Sequence, residues 1–415
     1  MHKECKYLID KVEGLLTCFR FRWVECQFEA LKRCPRSKHH LEQCLQSLPR
    51  SLDETYERML LSIDEESQEE ARRLLMLLCF SLRPLKVSEV LHGIAVDLGE
   101  QACLDRDRLL EGVDDLREIC PGLIEFELEL KKGTDIVPVS AIDSTRLKTT
   151  VRIAHFSVQE YLESDRIRQQ KAKFFAMSSV GAHHEIATIC CAYLLELQIS
   201  NGPLTRAKLA EFPLARFAAR FWYRHYRVGK EKPAQLRTLI TKLFRQQHDC
   251  FAIWVKLFDP VDPRWLGRVD LEGPSNQIAP ALYYASGLGL EWVIHDIISA
   301  EEAAGRDVED ILKVEGGFYG NALQAASLKG HEAVVKLLLD KNADVNAQGG
   351  AYGNALQAAS LFGHEAVVKL LLDKNADVNA QGGHYDNALQ AAAERGHEVV
   401  VELLMERGAK LPIDE

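Results

Sequence analysis

The sequence predicts a mainly α-helical protein, with a helical region holding one small helix-and-strand domain and then a solenoid of stacked helix pairs. Three observations carry this. Residues 321–350 and 354–383 are the same text except that Lys329 becomes Phe362, and a third copy starts at Asn387, so the chain repeats every 33 residues. Residues 71–169 read as three helices followed by two strands and a closing helix. Finally, 415 residues with 47% apolar and 27% charged side chains are ordinary for a soluble protein with packed cores.

In chain order, residues 1–70 form a helical segment whose acidic stretch "SIDEESQEEARR" (62–73) reads as a solvated helix face. The next domain, 71–170, opens on the apolar helix "ARRLLMLLCFSL", which "RPLK" breaks. "VSEVLHGIAV" gives a second helix and "DRLLEGVDDLREI" a third. "GLIEFELEL" alternates apolar and acidic residues as a half-buried strand does, and "VRIAH" supplies another strand. The helix "SVQEYLESDRI" is expected to open on a capping box of Ser157 and Glu160. Three helices followed by two strands is winged-helix topology. Residues 171–275 read as a helical connector, and residues 276–415 as the repeats.

A period of this length marks units that cannot bury their apolar face alone and must stack. Each unit has a short first helix, "NALQAASL", N-capped by Asn321, Asn354 or Asn387. It ends at Gly330, Gly363 or Gly396, where glycine can take the left-handed conformation. The second helix, "EAVVKLLLD", ends at Asn342, Asn375 and Gly408, two residue types that tolerate a left-handed cap. An earlier unit, "APALYYASGLGLEWVIHDIIS", aligns Leu282 with Leu323 and Gly289 with Gly330 and is followed by an insertion within 300–318. The expected architecture is therefore four repeats, one of them degenerate.

The numbers also exclude function classes. A net charge of −10 does not favour general affinity for nucleic acid or anionic membrane. No apolar run is long enough to span a bilayer, and "MHKECKYLIDKVEG" lacks an apolar signal core, so the expected location is cytoplasmic. The eleven cysteines include no C-x-x-C pair and fit reduced thiols. "HHEIATICC" puts His183 and Cys190 on one helical face. A metal pair and a buried helix with soft side chains are the two readings, and the second is favoured. The pairs His331–Glu332, His364–Glu365 and His397–Glu398 would need a second histidine four residues on to form a zinc site. Val335, Val368 and Val401 stand there instead. With no phosphate loop, Gly-x-Ser-x-Gly elbow or metal-ligand set, neither a catalytic activity nor a bound cofactor is expected.

The repeats resemble the ankyrin repeat, with Asn-Ala-Leu-Gln where that family has Thr-Pro-Leu-His, a departure that bears on the hydrogen bonding that stiffens the turn. Upstream, "FRWVECQFEAL" (21–31), "LPRSLDETYERML" (48–60), "RPLKVSEV" (83–90), "HFSVQEYL" (155–162) and "FPLARFAARFW" (212–222) together resemble the region after the nucleotide-binding domain of NACHT-type Nod-like receptors, particularly fungal ones that end in ankyrin repeats. The fold class is thus a helical and winged-helix region followed by an α-solenoid of ankyrin repeats. The resemblance implies a signalling role, and it implies that His155 reaches a nucleotide phosphate when a nucleotide-binding domain is present. The other reading of His155 is a core histidine that orients the strand-to-helix corner. The only Gly-Lys pair, Gly229-Lys230, is followed by Glu231 rather than Ser or Thr, so this chain looks like the part of a receptor that follows its switch domain, or a shortened relative.

Function is expected to reside in what differs between copies. Lys329, Phe362 and Arg395 end the first helices, and Phe318, Ala351 and His384 tip the connecting hairpins. An ankyrin-like geometry would line both sets along one concave face, offering a protein partner an apolar anchor between two cations. The alternative is a nucleic-acid-binding regulator using the winged helix and the basic segment 204–245, where Arg216, Arg220, Arg224 and Arg227 fall at helical spacing among aromatics. The acidic strand "IEFELEL" speaks against it.

Overall fold

A computed structural model describes residues 27, 48–128, 149–197, 205–245, 249–262 and 278–410. They form two compact units, one of residues 1–190 with 221–231 and one of residues 191–220 with 232–415. The connector expected over 171–275 divides between them.

The first unit opens with α1 (Leu52–Leu61), capped by Ser51, whose hydroxyl accepts from the Glu54 amide. Helix α2 (Gln68–Phe80) buries Leu74, Leu75, Met76 and Leu77. "RPLK" does end it, but Leu85–Lys86 then forms a short strand, β1, before α3 (Val87–Ile94). A two-stranded hairpin, β2 (Val96–Asp97) and β3 (Cys103–Leu104), follows that the sequence pattern did not show. It is tied to α2 by Arg73, a buried guanidinium that donates to the carbonyls of Ile94 (2.8 Å) and Val96 (2.5 Å). The third helix, expected over 107–119, is shorter. Helix α4 spans Val113–Ile119 because Gly112 is its extended N-cap and the Asp115 carboxylate takes the amides of Gly112 and Glu111. Strands β4 (Ile124–Leu128) and β5 (Thr149–Ile153) pair antiparallel with Phe126 opposite Val151, and β1 joins the other edge of β5. Three helices with this small sheet make the winged helix. The α7 helix comes later in the chain, after α5 (Phe156–Glu163) and α6 (Asp165–Arg168), and spans Ser179–Glu196.

The start of α5 differs from the expected Ser157 capping box. The N-cap is His155, whose Nδ1 accepts from the Ser157 amide at 3.2 Å. The Ser157 hydroxyl bridges His155 Nδ1 and the Tyr56 hydroxyl, each at 2.7 Å. With the cap two residues earlier, at His155, the helix takes in Phe156 and Ser157 as its first two residues.

The second unit runs through α8 (Arg206–Ala210), α9 (Ala215–Tyr226, shared with the first), α10 (Ala234–Phe244) and α11 (Asp249–Leu257) into the repeats. The degenerate first repeat is α12 (Ala281–Leu288) and α13 (Glu291–Ala303), and its insertion folds as α14 (Val308–Leu312). The next two are α15 (Ala322–Leu328) with α16 (Glu332–Asp340), and α17 (Ala355–Leu361) with α18 (Glu365–Asp373). The last is α19 (Ala388–Glu394) with α20 (Glu398–Glu406). The expected caps hold. Asn321, Asn354 and Asn387 N-cap the first helices, Gly289, Gly330, Gly363 and Gly396 turn left-handed after them, and Asn342, Asn375 and Gly408 do so after the second helices.

Candidate protein-interaction face

The turn chemistry explains how Asn-Ala-Leu-Gln can replace Thr-Pro-Leu-His. Asn321 and Gln324 form a reciprocal capping box: each side-chain oxygen accepts from the other residue's amide, at 3.0 and 2.7 Å. The Gln324 amide nitrogen then crosses to the next repeat and donates to the carbonyls of Ala347, Gly349 and Gly353. Asn354 and Gln357 repeat this one unit later, reaching Ala380, Gly382 and Asp386. Glutamine thereby caps its own helix and fixes the following hairpin. The histidines that open the second helices reach backwards: His331, His364 and His397 place Nε2 at 2.9–3.2 Å from the carbonyls of Gly287, Leu328 and Leu361 in the preceding repeat. The two hairpins after the second and third repeats are therefore held by a glutamine from one side, and the last three helix pairs are each held to the preceding repeat by a histidine.

These ties set the hairpin tips in register. The Ala351 amide donates to the Phe318 carbonyl at 3.0 Å and the His384 amide to the Ala351 carbonyl at 3.2 Å, so one predicted set, Phe318, Ala351 and His384, is a main-chain ladder. The other set occupies the C-caps of α15, α17 and α19. What joins the two is a row of tyrosines the sequence analysis did not single out. Tyr319 and Tyr352 stack with centroids 5.6 Å apart, and Tyr352 and Tyr385 at 6.5 Å. The Lys329 ammonium lies 5.9 Å above the Tyr319 ring, Phe362 meets Tyr352 edge-on at 6.2 Å, and the Arg395 guanidinium sits 6.0 Å above Tyr385 while donating to its hydroxyl at 3.0 Å. Phe318 packs edge-on against Tyr319 and Tyr352, and His384 against Tyr385. The signal was available: a tyrosine stands two residues before each capping asparagine at the same period of 33. Phe362 keeps 47% of its surface exposed at the middle of this row, and His384 and Arg395 are exposed as well.

The two cations are not equivalent. Lys329 is an exposed residue whose ammonium is sheltered along Tyr319. Lost hydration lowers its pKa, against the pull of the Asp259 and Asp262 carboxylates. Asp259 is itself buried, accepting from the amides of Val261 and Asp262 and from the Tyr284 hydroxyl, and burial raises its pKa.

Other predicted features resolve differently. His183 pairs with His225, Nδ1 to Nδ1 at 2.7 Å, rather than with Cys190, which is buried. Burial, then the neighbouring imidazole, pulls buried His225 down to about 3, so the pair is neutral. No metal-ligand cluster occurs among the described residues. On α9, Arg216, Arg220 and Arg224 are exposed while Phe217, Phe221 and Trp222 are buried, so these three rings are not offered to nucleic acid bases. No helix of the described residues is long and apolar enough to cross a membrane. The stretch "FRWVECQFEAL" lies outside the described residues apart from Gln27, whose amide donates to Thr55 at 3.1 Å.

Comparison with known proteins agrees with this architecture. The ankyrin-repeat family model, in three copies, matches residues 282–382 and 323–414. The winged helix domain of GPI inositol-deacylase matches residues 56–178. Azaphilone pigments biosynthesis cluster protein L of Monascus ruber is 45% identical over 340 residues, which cover 81% of this chain and 68% of that protein. The chain belongs to the family of that protein. Ankyrin repeats are non-catalytic modules that generally mediate contacts between proteins.

Proposed function

We propose that this chain is a non-catalytic interaction protein of the cell interior whose ankyrin array captures a protein partner on the face built by Phe318, Lys329, Ala351, Phe362, His384 and Arg395. The observation that carries the reading is the continuous aromatic row with Phe362 half exposed at its centre. An exposed ring held between other rings loses little freedom when it is covered, which is the property of an interface anchor. The family relative is a biosynthesis cluster protein by its name, and an accessory, non-catalytic component fits that setting.

The resemblance to NACHT-type receptors supports a finer version, in which the winged helix couples the array to a nucleotide-driven switch. His155 then contributes its Nε2, since Nδ1 is committed to the α5 cap. With a nucleotide-binding domain present, His155→Ala is expected to weaken ADP retention, and unchanged retention would assign His155 to the corner alone.

A photo-crosslinking amino acid tests the main reading. Placed at Phe362 it is expected to give a discrete product in host extract, whereas at Ala366, exposed on α18, it is expected to give none. Equal labelling from both positions would sink the proposed face.

A further inference from the structure

The face also indicates what it takes. Resting on the reading above, we infer that the corner formed by Tyr352, Phe362, His384 and Arg395 receives an extended segment of a partner protein in which an apolar side chain stands two residues from an aspartate or glutamate.

Three observations lead there. The first is the contrast between the two cations. The Lys329 ammonium rests on the Tyr319 ring and feels the attraction of the Asp259 and Asp262 carboxylates without forming an ion pair with either among the described residues. Arg395 is answered only in part. Tyr385 takes one N–H through its hydroxyl and supports the guanidinium with its ring, while the remaining N–H groups meet no acceptor among the described residues. A planar fork held in place with free donors is the arrangement that binds a carboxylate. Second, His384 stands on the same tyrosine, centroids 4.9 Å apart, and neither of its ring nitrogens is hydrogen-bonded among the described residues. The Glu394 carboxylate, next to Arg395 in sequence, is turned to the Gln390 side chain at 3.3 Å rather than to the guanidinium. Third, the spacing is that of an extended chain. Tyr352, which Phe362 covers, and Tyr385, which Arg395 covers, have centroids 6.5 Å apart. Alternate residues of a strand point to the same side and lie about 6.6 Å apart, at roughly 3.3 Å per residue. An apolar residue seated against Phe362 therefore brings the second residue along, on the same side, to Arg395 and His384. A carboxylate there meets the guanidinium, whereas at the Lys329 end the field of the Asp259 and Asp262 carboxylates opposes an acidic residue.

The test is selection of short random linear peptides with amidated C-termini, displayed against the full chain, so that side chains are the only carboxylates. Expected from the wild type is a consensus with Phe, Tyr, Trp, Leu or Ile two positions from Asp or Glu. Arg395→Glu is expected to exchange the acidic position for Lys or Arg while keeping the apolar one, and to weaken the wild-type peptide by about tenfold. Lys369→Ala, an exposed lysine on α18 outside the face, is expected to leave the consensus unchanged. Phe362→Lys is expected to remove the apolar preference. Phe362 and Arg395 are exposed C-cap positions, and His384→Glu on the hairpin serves as a second charge reversal should Arg395→Glu unfold the array. A consensus that depends on Phe362 but lacks the acidic residue, or that requires phosphate in its place, overturns this inference and leaves the protein-binding face standing. Peptides insensitive to both Phe362→Lys and Arg395→Glu, or a library with no binder above background, overturn both.

Discussion

The second and third repeats are nearly one sequence, and the last repeat is the same scheme altered at a few points. Comparing them separates what a repeat does for itself from what its neighbours do for it. In the two copies the capping box, the crossing glutamine and the backward histidine are duplicated bond for bond. In the last repeat Ser327 and Ser360 give way to Ala393, and buried Leu328 and Leu361 give way to exposed Glu394. Gln390 still donates its amide to the Asn387 side chain, but its own side chain no longer closes the reciprocal box and turns to Glu394 instead of crossing to a further hairpin. The local rules are therefore carried by each unit, while the role of the glutamine, histidine and leucine depends on a neighbour in contact.

The comparison can be tested most strongly at the leucines. Leu338 and Leu371 are equivalent and both fully buried. Substituting either by alanine is expected to cost about 2–5 kcal/mol from lost transfer energy and a cavity, the two values agreeing within about 0.5 kcal/mol. Urea melts that separate them by more would show that identical sequence does not give identical packing here.

A smaller effect contrasts the winged-helix unit with the repeats through pH. His225 is buried and held neutral, with a folded pKa of about 3 against about 6.5 for an unperturbed histidine. The unfolded state binds the proton first, so the stabilisation is present above about 6.5 and is lost as pH falls toward 3. Lowering pH from 6.5 to 5 is expected to remove on the order of 2 kcal/mol, at ~1.4 kcal/mol per unit. His225→Gln is expected to flatten that slope, and equal slopes in wild type and variant would remove His225 as its source.

Next come the glycines after the first helices. Gly363 and Gly396 share a left-handed backbone, at φ 69° and 72°. A Cβ on Gly363 would sit 2.6 Å from the His397 ring, while one on Gly396 would meet nothing within 4 Å. Gly396→Ala is expected to cost about 1–2 kcal/mol for the backbone alone. Gly363→Ala is expected to cost more, because the ring must also move and loosen its bond to the Leu361 carbonyl. Equal costs in thermal melts would mean that the histidine accommodates the methyl freely.

The smallest expected change concerns the buried serines. The Ser327 and Ser360 hydroxyls are buried with no hydrogen-bond partner among the described residues. Alanine, which the last repeat already uses at Ala393, removes a desolvated hydroxyl, so Ser360→Ala is expected to leave stability unchanged or raise it by up to about 1 kcal/mol. A loss of more than that would reveal a bond the hydroxyl makes.

Much of this was legible in the residues. Period, caps, left-handed positions and the buried phase of the second helix all depend on contacts within about one turn or on exact repetition, and such contacts leave a pattern in the text. The winged helix was less legible. Its β1 strand and its β2–β3 hairpin are two residues long per strand, too short for alternation to register, and the N-cap passed from Ser157 to His155 because a histidine nitrogen can do the work expected of a hydroxyl.

By itself, then, the sequence determined that the array is built of interchangeable units, and it marked two sets of in-phase positions, six residues in all, at which they vary. Only the tertiary structure decided what those positions meet. The tyrosine row unites the two variable sets, the field of Asp259 and Asp262 reaches Lys329 from some seventy residues away in the chain, and Arg395 on Tyr385 keeps donors unused among the described residues. The physical reason is that a capping bond joins residues three apart in the chain, whereas a stacked ring or a screened charge depends on which distant segment the fold brings within a few ångströms.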